Sequence, residues 1–281
     1  MLRSDPICWP LEDLWLAIEP GLPRFTCDVL PTIDSTNSEL MRRFKAGRLE
    51  PTLLVADVQS AGRGRLGRQW HSQRGDCLTF SLGLPMAPVN WSGLSLAVGI
   101  SLAESLDASN AALQRIGLKW PNDLWLVQGE TERKLAGILV ETATFEGQRC
   151  VVIGVGINVR AIEFAAQESM AVAPGCLQDL QSDADVASTL LRILPPLVKT
   201  VQAFEQFGFA PFQARFAVRD VLSNRQVVLS DGTHGLAHGV TLAGALLVHT
   251  SAGMKEVTSS EVSVRPVGAS NRSPFENLRP C

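Results

Sequence analysis

Two periods of apolar residues alternate along this chain. PTLLVADVQ (51–59) and CLTFSLGLP (77–85) are short runs of aliphatic and β-branched residues and read as strands. Between 91 and 116 the apolar residues recur at helical spacing instead, with Gly117 as the expected stop. The pattern then returns to strands. GLKWPNDLWLV (117–127) reads as strand, turn and strand about Pro121-Asn122-Asp123. KLAGILVETAT (134–144) and CVVIGVGINV (150–159) follow, parted by a polar hairpin at Glu146-Gly147. An earlier helix is expected after Asp34-Ser35-Thr36-Asn37: Ser35 or Thr36 can cap it, Glu39 falls in its first turn, and Leu40, Met41 and Phe44 give apolar spacing. Residues 183–208 are helical in pattern, and Pro195-Pro196 predicts a bend or interruption.

Composition divides this run into units. Residues 1–28 are a Pro- and Trp-containing lead-in expected to pack on the main body, which spans 29–216. Within it, 160–182 is small, polar and marked by Pro and Gly, as in a mobile loop. Composition changes after Pro211, and short alternating strands with Gly turns predict a small β-barrel over 217–266. Residues 267–281 read as a disordered tail. There is no internal repeat.

With 281 residues, 46% hydrophobic and 19% charged, the chain suits a globular core rather than disorder. A net charge of −3 offers no global field for nucleic acid or anionic membrane, so any attraction to anions is local. Six scattered cysteines without a CxxC pair resemble reduced thiols more than a disulfide framework or zinc site. The N-terminus carries early acids and Pro6 and Pro10, unlike a signal peptide, and no uncharged apolar run reaches the ~20 residues that span a bilayer. The expected setting is cytoplasmic, away from membrane.

The local anion site is legible. QSAGRGRLGRQW (59–70) sets three arginines among three glycines, and Arg74 adds a fourth positive charge before any negative one. Glycine permits close backbone approach and arginine offers a planar fork of donors, so the segment reads as a loop closing over an anion. It is not the dinucleotide fingerprint, which requires a strand before, a helix after and a distant acid. Lys119-Trp120-Pro121-Asn122-Asp123 gathers a cation, an amide and a carboxylate between apolar strands, the mixture that meets phosphate or Mg²⁺. Lys134 opens KLAGIL, where Gly137 thins an aliphatic strand; GVGIN (154–158) has the same character. A plain helix cap explains DSTN alone, and packing glycines explain GVGIN alone. His234 and His238 lack further ligands at metal-site spacing and read as barrel positions. Trp9, Trp15, Trp91 and Trp125 read as packing.

In order, DSTN, QSAGRGRLGRQW, KWPNDL, KLAGIL and GVGIN resemble the motif series of the biotin–protein ligases, from about residue 30 to 265. GVTLAGALLV and SSEVSVR, ending on Glu261 and Arg265, are similar to that family's small C-terminal domain. The resemblance implies an α+β fold: a mixed β-sheet with flanking helices, like the catalytic domain of class II aminoacyl-tRNA synthetases, plus a small SH3-like barrel. It implies ATP and biotin as substrates with Mg²⁺, and the biotin carboxyl-carrier domain of a carboxylase as acceptor. Ser35, Thr36, Asn37 and Gln59 would take the ureido end of biotin. Gly62, Arg63 and Arg65 would belong to the loop holding biotin and the adenylate phosphate, and Gly137 would line the biotin slot. Lys134 would contact the reacting carboxylate and phosphate, which with Arg63 and Arg65 makes it catalytic. Arg65, Arg68, Lys119, Asn122 and Asp123 would face ATP, Asp123 also Mg²⁺, with Asn158 near the nucleotide and Trp70 an adenine wall.

The implied chemistry suits these residues. Biotin carboxylate would attack the α-phosphate of ATP, bringing two anions together; at 4 Å unit charges repel by ~1 kcal/mol in water and ~4 kcal/mol at an effective dielectric of 20. The basic side chains are the counter-charges, and a closing loop would keep the anhydride dry. Two features depart from the family's well-known bacterial form. DSTN begins at residue 34, so a ligase that does not bind operator DNA is expected, monomeric or homodimeric. Residues 160–182 contain no tryptophan, and Cys176 follows Gly175. Lipoate–protein ligases are the nearest rival but would not be expected to carry GRGRxGRxW. A non-enzymatic biotin or nucleotide regulator is the more distant one, and intact Lys134 and KWPND argue against it.

Overall fold

The computed structural model describes residues 6–107, 114–161, 172–258 and 264–267. The main sheet holds β1 (Thr26–Ile33), β2 (Thr52–Gln59), β3 (Cys77–Pro85), β4 (Ile116–Lys119), β5 (Asp123–Gln128), β6 (Thr131–Phe145) and β7 (Gln148–Asn158) in the order β1-β2-β3-β7-β6-β5-β4. β1 and β2 run parallel and the other neighbours antiparallel, so the sheet is mixed. β2 and β3, buried along most of their length, read as nearly continuous apolar runs rather than alternating ones.

Helices cover both faces. On one, α3 (Leu94–Leu106) packs on β4, β5 and β6, and α4 (Val186–Phe207) packs on α3; α1 (Leu11–Ile18) rests on α4 with Leu14 and Ile18 buried. On the other, α2 (Thr36–Lys45) sets Leu40 and Phe44 against Leu54, Cys150 and Val152. Only part of that face is covered by α2, and the uncovered part holds the site. The lead-in is tied to the body, Trp9 Nε1 donating to Asp57 at 3.2 Å.

A second sheet, β11-β10-β9-β8-β12, is built from β8 (Gln226–Leu229), β9 (His234–Val240), β10 (Leu246–Thr250), β11 (Gly253–Val257) and β12 (Val264–Pro266), all antiparallel. α5 (Gln213–Arg219) leads into it and runs across the boundary expected at 216/217. Trp120, fully buried, donates its indole N–H to the Gly244 carbonyl at 3.1 Å, so the loop between β9 and β10 touches the KWPND turn directly.

Three expectations change. The helix over 91–116 is shorter: α3 ends at Leu106, and Asp107 Oδ2 then accepts the Arg115 and Ile116 amides at 2.9 and 3.1 Å, turning the chain into β4. Gly117 is no stop but a close-packing position inside β4, where a Cβ would fall 2.2 Å from Val221 Cγ1. The Pro195-Pro196 pair does not interrupt α4, whose 22 residues run through it. Burial of Leu190, Ile193, Leu194, Leu197 and Val201 outweighs the local preference. Of the expected mobile loop, 162–171 lies outside the described residues, while Leu177–Asp179 forms a single 3₁₀ turn. The tail beyond Val267, and Glu261, also lie outside them. Among the described residues, no helix is long and apolar enough to cross a membrane.

Candidate functional site

Register builds the floor of the site. Thr79, Gly156, Gly137 and Asp123 pair in one row across β3, β7, β6 and β5. Ser81, Gly154 and Leu139 form the next row on the same face. Two glycines hollow this floor and two side chains from other elements use the space. A Cβ on Gly154 would lie 2.1 Å from Asn37 Oδ1, and one on Gly156 would lie 2.3 Å from the Trp70 indole. The packing reading of GVGIN therefore holds, but what the glycines pack against is the site.

At one end of the hollow, neutral hydrogen-bonding side chains gather. Ser35 caps α2, its hydroxyl accepting from the Ser38 amide at 3.4 Å. Gln59 Oε1 accepts the Thr36 amide at 2.7 Å and the Thr36 hydroxyl at 3.1 Å. Ser81 Oγ lies 2.7 Å from Thr36 Oγ1 and 2.6 Å from Asn37 Oδ1. Ser35, Thr36, Asn37 and Ser81 are all buried. Ser81 was missed in the sequence; the polar pair Thr79 and Ser81, two apart in a strand of otherwise apolar residues and glycine, was the available signal.

The glycine–arginine loop folds over this hollow. Gly64 N donates to the Arg68 carbonyl at 2.7 Å and Trp70 N to the Gly62 carbonyl at 2.9 Å, so the loop is a tight reversal. Leu66 sits at its tip with φ of 55°. Arg63 pairs with Glu141 at 2.9 Å, and Arg65 NH1 reaches Asn122 Oδ1 at 3.4 Å. Burial lowers the Arg65 pKa, with Arg68 adding to the effect and Asp123 opposing it. Gly64 lines the cleft, and a Cβ on Gly62 would fall 2.3 Å from the Trp70 carbonyl oxygen, so Gly62 lets the two arms of the loop close on each other.

The opposite end is cationic. Lys134 Nζ lies 2.7 Å from Asp123 Oδ1 and 6.0 Å from the Trp70 ring centre. Lys119 is 9% exposed, its ammonium 5.9 Å from the Trp125 ring centre. Burial pushes its pKa down to about 8; Asp123 resists this, while Lys134, Arg68 and Arg65 assist it. The cleft lining thus carries Arg63, Arg65, Arg68, Lys119 and Lys134 against Asp123 as its one described carboxylate. Asn122 donates to the Ile138 carbonyl at 2.8 Å, which fixes the turn.

Two expected residues sit differently from the rest. Asn158 is buried and donates to the Gly175 and Lys134 carbonyls at 3.1 and 3.3 Å, and it lines an adjoining cavity shared with Trp70, Lys134 and Pro174. Trp70 lies over Gly156, with Cζ3 at 3.4 Å from where a Gly137 Cβ would stand. Its indole N–H is buried without a partner. No group of three or more His, Cys, Asp or Glu that could hold a metal ion exists among the described residues.

The chain matches two family models: the biotin/lipoate A/B protein ligase family over residues 29–158, and the biotin protein ligase C terminal domain over 222–265. The bifunctional ligase/repressor BirA of Escherichia coli is 37% identical over 246 residues, covering 84% of this chain and 73% of that protein. The chain belongs to the biotin protein ligase family. Within this family, the biotin--[acetyl-CoA-carboxylase] ligase of Paracoccus denitrificans is 30% identical over 244 residues, covering 83% of this chain and 98% of that one. The solved biotin protein ligase from Aquifex aeolicus in complex with biotin and ATP aligns with a TM-score of 0.71 at 30% identity, covering 86% of this chain and 99% of that one. The α+β fold, its mixed sheet with flanking helices and its C-terminal β-sheet domain are those of biotin protein ligase structures.

Proposed function

We propose that this chain is an ATP-dependent biotin–protein ligase, which makes biotinyl-5′-AMP and then biotinylates a lysine of a biotin carrier protein. One observation carries the reading. A single cleft has one end built from the neutral hydrogen-bonding side chains of Ser35, Thr36, Asn37 and Gln59 and a cationic end where Lys119, Lys134, Arg65 and Arg68 converge. Biotin is such a molecule, with a neutral polar ring at one end and a carboxylate at the other, and the carboxylate must meet a polyphosphate.

In the first step a biotin carboxylate oxygen bonds to the α-phosphorus, and the bond to the departing pyrophosphate breaks. Ser35, Thr36, Asn37 and Gln59 bind the ring, and Gly137, Gly156 and Trp70 wall the slot. Trp70 thereby serves the biotin side rather than the adenine. Lys134, held by Asp123, is placed where carboxylate meets phosphate; Arg65, Arg68, Lys119 and Asn122 take the phosphates. In the second step the acceptor amine bonds to the biotin carbonyl carbon, AMP leaves and the amine loses a proton. Arg63 and the folded loop keep water from the anhydride in between.

Asp123 is engaged with Lys134 and, among the described residues, has no second carboxylate beside it in the cleft, so these residues do not form a resident metal cage. Mg²⁺ enters this proposal only as the ion carried by the ATP phosphates. We take the main domain as class II synthetase-like, the five-stranded domain as SH3-like, and the acceptor as a carboxylase's carrier domain. The five described cysteines are free thiols, which suits a cytoplasmic setting.

The test is pyrophosphate release with ATP and Mg²⁺ and either biotin or lipoate, followed by transfer to a purified biotin carrier domain. Release and transfer with biotin are expected. Release with lipoate but not biotin overturns the proposal.

A further inference from the structure

Glu141 stands outside the residues assigned to ligands, yet two of those residues meet on it. It lies on β6 two positions beyond Leu139, on the same sheet face as Gly137. Its Oε2 accepts Asn37 Nδ2 at 2.9 Å, and its Oε1 accepts Arg63 NH2 at 2.9 Å. Arg63 NH1 reaches Oε2 at 3.4 Å and Ser38 Oγ at 3.3 Å. The carboxylate side chain is 22% exposed and that of Arg63, which lines the cleft, 49%, so the pair is half-buried where the loop meets β6. One carboxylate thus joins the start of α2, the middle of β6 and the arginine loop.

Charge explains why the junction is needed. The loop brings Arg63, Arg65 and Arg68 toward a cleft already holding Lys119 and Lys134. Without an anionic ligand these five repel, which disfavours the folded loop. Asp123 offsets Lys134 at one end, and Glu141 offsets Arg63 at the other.

We propose that Glu141 is a positioning residue that seats the loop, through Arg63, on the biotin-recognising end of the cleft. The proposal rests on the biotin-ligase reading above. Glu141 touches no reacting atom; it sets how often Arg63 and the loop stand closed, and so governs retention of biotin and its adenylate more than the chemical step.

Glu141→Gln keeps an acceptor for Asn37 and removes the charge that pairs with Arg63. We expect its KM for biotin to rise about 3- to 10-fold and biotinyl-5′-AMP to dissociate faster by a similar factor, the size of a partly buried coupling. Turnover at saturating biotin stays within about twofold, and Glu141→Asp recovers part of the loss. The deciding comparison is the double variant. In an Arg63→Ala background Glu141→Gln costs no further affinity, because its route is gone. Equal losses in both backgrounds, or an unchanged biotin KM and adenylate off-rate, overturn the proposal. Failure of the wild-type protein to release pyrophosphate with biotin overturns the biotin reading itself, and this role with it. An active wild type with an indifferent Glu141→Gln overturns the role alone.

Discussion

The Lys134 ammonium is fixed 2.7 Å from the Asp123 carboxylate, across the β5–β6 pair and at the edge of the glycine floor. The register shift between Leu124 and Trp125 sets Lys134 opposite Trp125 while Asp123 stays opposite Gly137. A bulge of this kind re-aims a side chain, and here it brings a lysine over a hollow that strict alternation would have given to another position.

From this pair, Lys134→Gln is expected to lower the rate of adenylate formation by about 100-fold or more, as when a positioned charge is removed from a developing anionic centre. Asp123→Asn is expected to cost less, about tenfold, since the ammonium survives but loses its anchor. Single-turnover pyrophosphate release measures both. Asp123→Asn falling as far as Lys134→Gln would show that the carboxylate has a role beyond holding the lysine.

Gly156 sits where a methyl group would fall 2.3 Å from the Trp70 indole. Gly156→Ala is therefore expected to displace Trp70, raising the biotin KM about tenfold and costing about 1–3 kcal/mol of stability through overpacking. Trp70→Leu in the same background should return part of the stability but not the biotin affinity. Recovery of both would mean that Trp70 is not part of the biotin wall.

The strands and the α2 cap were legible because their signals are local: PTLLVADVQ and CLTFSLGLP became β2 and β3, and Ser35 is the cap. The cation cluster was legible because arginines between glycines have little other use. Contacts across elements were not. Glu141 looked like any polar residue near the middle of a strand, and only the pairing of β6 with β7 and the path of the loop bring it to Asn37 and Arg63. Gly117 misled for the same reason: its role comes from Val221, about a hundred positions away. The end of α3 was set by Asp107 receiving amides from beyond the helix, a contact no helical period reveals.

Lys119 should leave a pH signature. Its folded pKa of about 8 lies below the ordinary 10.5 because burial disfavours the ammonium. Between those values the unfolded chain binds more protons, so stability rises with pH over that window and carries a constant penalty below it. Lys119→Met should accordingly stabilise the empty protein at pH 7 by up to about 3 kcal/mol, the gain fading as pH passes from about 8 to 10.5. If the ammonium meets ATP, kcat/KM for ATP falls above about pH 8, and Lys119→Arg moves that fall upward. A flat profile through pH 9 would remove Lys119 from phosphate binding.

Asp220 tests the junction with the C-terminal sheet. It bridges to Leu118 on β4, one residue before Lys119. Its Oδ1 accepts the Leu222 amide at 2.9 Å, while its Oδ2 is buried without a partner. Burial pushes its pKa up from 3.8 to about 6, with the Leu222 amide opposing. The folded chain therefore binds more protons between those values; stability falls as pH rises through the window and stays reduced above it. Asp220→Asn keeps the acceptor for Leu222 and removes the charge, but it leaves a buried amide N–H to be satisfied. The expected net gain near pH 7.5 is about 1 kcal/mol, read from the urea midpoint at constant m. Below about pH 4 the wild-type carboxyl is neutral and the advantage disappears. A gain that persists undiminished at pH 4 would show that the benefit is steric rather than electrostatic.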